Sequence, residues 1–252
     1  MYEQPSVNVA VDSRGVAVVT FLHETPSNES LACLDELADV LAELDGDNAV
    51  RIVVLTGEDD HFFVGPKPHA ILESRKDPDE VVDTLRTGQL TVERLISLDR
   101  PVVAAVNGPA LGVGTQVALL ADIAVAGRSV YFQDPHVKLG VAAGDGGMLW
   151  PLLMGLPRAK RYVMTGKRLH ATEAHQSGLL AELVDDADVM DSAMAIADDF
   201  VKLPDMAVRM TKRALNQWLR MGSSFSFDYS NALQLASAMH PESIRILEGL
   251  VD

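Results

Sequence analysis

The sequence is short of cysteine, of aromatic residues, of basic charge and of long apolar runs. Cys33 is the single cysteine among 252 residues, so no intrachain disulfide and no cysteine-based zinc cluster can form. Lys and Arg total 21 against 36 Asp and Glu, a formal net charge of −15. That balance argues against a general nucleic-acid binder, which needs a basic footprint, but leaves room for an anionic small ligand held by a few local groups. The longest apolar stretches are Val102–Val106 and Val117–Ala126, the latter broken by Asp122. Both fall far short of the roughly 20 residues that span a bilayer. Met1-Tyr2-Glu3-Gln4-Pro5 lacks the basic start and apolar run of a signal peptide. The expectation is a cytoplasmic protein with neither a nucleic acid nor a membrane as partner. What is present is 48% hydrophobic residues, evenly mixed with 23% charged ones. Such a chain is too apolar for disorder and long enough for a sizeable core.

The order of patterns predicts an α/β protein. Val7, Val9 and Val11 alternate with other residues, Asp12-Ser13-Arg14-Gly15 is turn chemistry, and Val16, Val18 and Phe21 resume the run, together a β-hairpin. Leu31, Leu34, Leu37, Leu41 and Leu44 recur at helical spacing up to Gly46. Arg51–Leu55 and Pro101–Val106 are continuous apolar runs, expected of strands covered on both faces. A loop is expected from Thr56 to Pro68, a helix from Val81 to Leu98 and another up to Leu120, and short strands at Asp122–Val125 and Val130–Phe132. Strands alternating with helices are the mark of this class. Beyond about residue 146 the periodicity is helical, with Ala181–Val184 as the one expected strand and helices at Ala207–Met221 and Tyr229–Met239 among others. This divides the chain into a core, 1–195, and a helical C-terminal region, 196–252.

Common nucleotide and hydrolase signatures fail. Gly112-Val113-Gly114 lacks a third glycine at Val117, and Gly166-Lys167 has Arg161 where a phosphate loop needs glycine. No His-Glu-x-x-His and no Gly-x-Ser-x-Gly occurs. Two glycine-bearing turns follow the buried strands instead, Phe62-Phe63-Val64-Gly65 and Asn107-Gly108-Pro109-Ala110-Leu111-Gly112-Val113-Gly114. Small residues let a backbone approach a ligand, and N–H groups at a helix start favour negative charge. Two such turns can aim two N–H donors at one oxygen.

Pro101–Gly114 closing with Ala121-Asp122-Ile123 resembles the central signature of the crotonase superfamily, the enoyl-CoA hydratases and isomerases. Phe132-Gln133-Asp134-Pro135-His136-Val137-Lys138-Leu139-Gly140, Gly144-Asp145-Gly146-Gly147 and Val163-Met164-Thr165-Gly166 continue the match, which covers roughly residues 7 to 185. The resemblance implies a spiral of ββα repeats with a helical C-terminal trimerisation region, assembled as a homotrimer or a dimer of trimers. It implies an oxyanion hole from the backbone N–H groups of Val64 and Val113, holding the enolate of an acyl-CoA thioester. Coenzyme A is then part of the substrate, and neither a separate cofactor nor a metal is expected. Gly65, Gly112, Gln116 and Trp150 are expected in the substrate pocket.

The hydratases of this family use two glutamates for acid–base work, and the matching positions are Gln116 and His136. Gln116 cannot exchange a proton near neutrality, so the usual addition of water is not available in its standard form. An imidazole titrates near neutrality and can serve as acid or base. Asp145, nine residues on in a glycine-flanked turn, is expected to take the second imidazole N–H and fix the tautomer. His136 and Asp145 in this frame resemble the 6-oxocamphor hydrolase branch, which cleaves a carbon–carbon bond of a cyclic β-diketone by a retro-Claisen reaction. Three functions follow: an enoyl-CoA hydratase/isomerase-type enzyme with His136 and Asp145 as catalytic pair, a β-diketone hydrolase, or a catalytically silent acyl-CoA-binding oligomer.

Overall fold

The computed structural model of the protein describes residues 3–23, 25 and 31–251. A short strand β1 (Glu3–Gln4) pairs with β2 (Val7–Val11), and β2 with β3 (Val16–Phe21), both antiparallel. The Asp12–Gly15 turn joins β2 to β3, with the Asp12 carboxylate accepting the Arg14 and Val16 N–H groups. Helix α1 (Ala32–Gly46) leads to β4 (Ile52–Gly57), and α2 (Pro68–Ser74) and α3 (Pro78–Ser97) lead to β5 (Val102–Val106). A two-residue strand β6 (Ala110–Leu111) and helix α4 (Val113–Leu120) precede β7 (Ile123–Gly127). Next come β8 (Tyr131–Gln133), α5 (Trp150–Met154), α6 (Leu156–Val163), β9 (Leu169–His170), α7 (Ala171–Gln176) and β10 (Glu182–Val184). The chain ends in α8 (Val189–Val201), α9 (Asp205–Leu215), α10 (Gln217–Ala238) and α11 (Pro241–Val251).

The main sheet has the order β1-β2-β3-β4-β5-β7-β10, parallel from β3 onward, and a small second sheet has the order β6-β8-β9. Each crossover adds its strand to the same growing edge, so the chain winds as a spiral. The apolar runs divide their side chains by alternation. Val53, Leu55, Val102 and Ala104 face the large core under α1 and α3. Ile52, Val54, Val103 and Ala105 face α8 through Val189, Ala193 and Ala197. That two-sided cover is why these strands read as unbroken hydrophobic stretches.

Several boundaries depart from the sequence reading. Thr56 and Gly57 finish β4, and the expected loop already holds the start of α2 at Pro68. Helix α3 begins at Pro78, because the Asp77 carboxylate caps the Asp79 N–H and a proline suits the first helical position. The helix expected over Ala207–Met221 breaks at Asn216, whose side-chain amide donates to the Ile96 carbonyl. Helix α10 runs on through Gly222, which lies against Leu149 and Leu152. Strand β9 was not expected; it pairs with β8 across Tyr131–His170 and Phe132–Leu169. The division expected at residue 195 falls inside α8, whose buried face belongs to the sheet.

The C-terminal helices return to the spiral. Lys212 of α9 pairs with Asp122 at 2.7 Å, beneath an apolar cavity of about 610 Å³. Helix α11 packs along α2, and its Ser243 hydroxyl donates to the Leu139 carbonyl at 2.8 Å. Trp218, Met221, Phe225 and Tyr229 form one exposed apolar stripe on α10. Among the described residues no helix is long and apolar enough to cross a membrane.

Candidate active site

The two glycine turns are joined side by side. The Leu111 N–H donates to the Phe63 carbonyl at 2.9 Å and the Phe62 N–H to the Pro109 carbonyl at 3.2 Å, so Phe63 and Ala110 form a parallel bridge. The chain then reverses at Gly112, whose φ of +53° favours a residue without Cβ, and α4 starts at Val113. Val113 is helical, and Asp59 is the one non-glycine residue described with a positive φ. A side chain at Val113 therefore costs the turn nothing. The first N–H groups of a helix lack intrahelical partners. Among the described residues no turn, loop or cap hydrogen bond uses the N–H of Val64 or of Val113. Both residues, with Gly65 and Gly112, line one cavity of about 420 Å³.

His136 enters the same cavity from the other wall. After β8 the chain turns through Asp134-Pro135 into a 3₁₀ turn, His136–Leu139, closed by Gly140. The Asp134 carboxylate accepts the His136 backbone N–H at 3.2 Å and meets Nδ1 of its ring at 2.6 Å. Behind it, the Trp150 indole N–H donates to Gln116 Oε1 at 2.7 Å, which turns the Gln116 amide N–H toward Asp134 at 3.3 Å. Gln116 and Trp150 are wholly buried and do not line the cavity. The expectation that they form the substrate pocket is corrected: they brace the carboxylate that braces the imidazole.

Asp145 stands on the opposite side of the ring, with Oδ2 3.7 Å from Nε2. That is ion-pair range, beyond a hydrogen bond. The orienting hydrogen bond expected from Asp145 thus comes from Asp134, and Asp145 instead faces the ring nitrogen that points into the cavity. Its flanking glycines are set by close approach. A Cβ at Gly144 would lie 2.2 Å from Gln234 Oε1 of α10, and one at Gly146 would lie 2.8 Å from Gln116 Cγ of α4. The frame presses Asp145 between two helices. Its Oδ1 is buried without a hydrogen-bond partner, as is Gln234 Oε1, and both residues line the cavity.

The electrostatics follow from this packing. Burial opposes charge on His136, but Asp134 and Asp145 on either side outweigh it and raise its pKa to about 9. Burial also opposes charge on Asp134, yet the imidazolium and its hydrogen bonds win and hold that carboxyl below its ordinary range. For Asp145 burial dominates and raises the pKa, aided by Asp134 and opposed by His136. At neutral pH the imidazole is therefore protonated, donating through Nδ1 to Asp134 and presenting its Nε2 proton to the cavity. The three groups place ligand-type atoms within 4.8 Å of one another, but the Nδ1 contact to Asp134 makes this first a proton-sharing cluster. Asp134 had no role in the sequence reading. The available signal was an acceptor two residues before a histidine at the mouth of a turn.

Comparisons with known proteins agree with this fold. The family described as enoyl-CoA hydratase/isomerase matches residues 12–250. A short-chain-enoyl-CoA hydratase of Clostridium acetobutylicum is 33% identical over 222 residues, covering 84% of this chain and 82% of its own. The crystal structure of an enoyl-CoA hydratase/isomerase from Mycobacterium paratuberculosis superposes with a TM-score of 0.91 at 32% identity over 98% of both chains. A β-diketone hydrolase from the cyanobacterium Anabaena, bound to (S)-3-oxocyclohexyl acetic acid, gives 0.85 at 28% identity over 93% of this chain and 94% of its own.

Proposed function

This chain belongs to the enoyl-CoA hydratase/isomerase family, and on that premise we propose that it adds water to an acyl-CoA thioester by way of an enolate. The observation that carries the reading is the convergence on one cavity of two unused N–H donors, Val64 and Val113, with the Nε2 proton of His136 and a partnerless oxygen of Asp145. The thioester carbonyl sits between the two N–H groups, where fixed donors stabilise developing charge without reorganising. Asp145 takes a proton from water as its oxygen attacks the β-carbon, and the electrons of the double bond pass to the enolate. His136 then gives its Nε2 proton to the α-carbon. The proton on Asp145 returns to His136, so water is added and the site is restored. Asp134 stays ionised on Nδ1 throughout.

A second reading has its own support. The similar β-diketone hydrolase, and the absence of a glutamate at Gln116 and His136, favour water attack on a carbonyl with carbon–carbon cleavage. The same two groups serve it: Asp145 accepts the water proton and His136 protonates the departing enolate carbon. Assays with crotonyl-CoA and with a cyclic 1,3-diketone separate the readings. Turnover of the thioester alone supports the first, turnover of the diketone alone supports the second, and turnover of neither leaves acyl-CoA binding as the remaining function. The exposed stripe Trp218, Met221, Phe225 and Tyr229 supports self-assembly, proposed as a homotrimer or a dimer of trimers, since apolar patches of this kind mark interaction sites.

A further inference from the structure

We propose that Arg75 recognises a carboxylate at the far end of the acyl group, so that the substrate is the coenzyme A thioester of a short dicarboxylic acid. Arg75 follows the last turn of α2 and lines the same cavity as His136 and Asp145. Among the described residues it has no ion-pair partner, and its Nε is buried without a hydrogen-bond partner. No carboxylate among the described residues stands beside this guanidinium, which shares the cavity lining with Lys67. Asp145 is the one carboxylate among the described residues that line the cavity, and it stands against the imidazole. Burial, with no acidic neighbour to offset it, lowers the Arg75 pKa. The group nonetheless keeps a charge that reaches across the cavity and opposes protonation of His136.

A half-buried cation without a counter-ion gains when an anion meets it. Guanidinium presents a planar fork that fits a carboxylate with two parallel hydrogen bonds. Two sources could bring that anion, the acyl chain or the coenzyme A phosphates. The position of Arg75 favours the first. It shares the chamber with the reacting groups, where acyl carbons lie, whereas the phosphates lie at the other end of the pantetheine arm. Ile71 and Leu85, on the same lining, leave an apolar path for methylenes between the thioester and the terminal charge.

This inference rests on the acyl-CoA reading, and its test keeps the two apart. Unreactive saturated ligands, butyryl-CoA, glutaryl-CoA and free coenzyme A, are titrated calorimetrically into the wild-type protein, Arg75→Gln and Arg75→Lys. The expected result is glutaryl-CoA binding at least tenfold tighter than butyryl-CoA, a ratio near one in Arg75→Gln, and an intermediate ratio in Arg75→Lys. The lysine variant keeps the charge and so separates lost recognition from lost fold. Equal wild-type affinities for the two thioesters overturn the carboxylate proposal and leave the acyl-CoA reading standing. An equal loss on all three ligands in Arg75→Gln also overturns it, and assigns the arginine to the phosphates. Binding of none of the three overturns the acyl-CoA reading and the proposal with it.

Discussion

The molecule buries two clusters of opposite charge, and they are built in contrary ways. At the root of α9, Lys212 meets Asp122 at 2.7 Å and the Arg100 carbonyl at 2.7 Å, while Asp122 also takes the Val102 N–H at 2.7 Å. The ammonium and the carboxylate oxygen that meets it both have backbone partners besides each other. Around His136 the inner half is equally well tied, from Trp150 through Gln116 to Asp134. The outer half is not: among the described residues Asp145 Oδ1, Gln234 Oε1 and Arg75 Nε have no partner, and neither N–H of Val64 or Val113 enters a turn, loop or cap bond. Satisfied polar groups hold a fold together, while unsatisfied ones facing a cavity are held ready for something from outside.

Four perturbations would break or sharpen this contrast. Removing one partner of the satisfied pair should be the most damaging to stability. Lys212→Met is expected to cost about 1.5–3 kcal/mol, the range of a hydrogen bond to a charged group, because it leaves the partly exposed Asp122 carboxylate with the Val102 N–H, and urea titration would read it. The surviving folded protein should keep its specific activity. His136→Gln should do the reverse, lowering kcat by about 10²–10⁴ as expected for a lost acid–base group, with circular dichroism unchanged. In the wild type, activity that needs the protonated ring should hold through neutrality and fall as pH rises through about 9. The stability linkage has the same sense. His136 is bound more tightly to its proton in the folded state than at the reference value of 6.5, so its contribution is complete below that pH and is lost on the way to about 9.

Asp145→Asn comes third. It should lower kcat tenfold or more and move the alkaline limb of the rate profile to lower pH, since one of the two carboxylates that raise the His136 pKa is gone. Stability should be unchanged or higher, because a buried carboxylate with a partnerless oxygen has been removed. A clear loss of stability would place Asp145 with the satisfied cluster. Trp150→Phe should be the mildest, about 1 kcal/mol for one buried hydrogen bond. A small downward shift of the alkaline limb would accompany it if the freed Gln116 amide turns away from Asp134.

Those regions differ too in how far they could be read from the sequence. The sheet was legible because two-sided burial writes itself as Val-Val-Ala-Ala-Val, and α1 because leucines repeat at its period. The two glycine turns were legible as glycines after buried strands, and Val64 and Val113 line one cavity. Helix α2 was not, since seven residues make too short a window for periodicity. The partner of His136 was misplaced because spacing along the chain says which carboxylates are near a turn, not which side of a ring each will reach. Arg75 and Gln234 carried no pattern at all. They reach the cavity from α2 and α10, elements far apart in the chain and joined only by tertiary packing.

The last helix also matters for anyone handling the protein. Helix α11 packs along α2, which carries Arg75, and its Ser243 is tied to the carbonyl that ends the His136 turn; the Gly140 that follows has room only for a hydrogen, because a Cβ there would press on Ser243 and Ile246 at 3.1 Å. The eleven residues of α11 thus act as a splint across both walls of the chamber. Anything that displaces α11 is therefore expected to disturb the His136 turn and the Arg75 wall together, which calorimetric titration of an acyl-CoA ligand into a variant weakened at Ser243 would read.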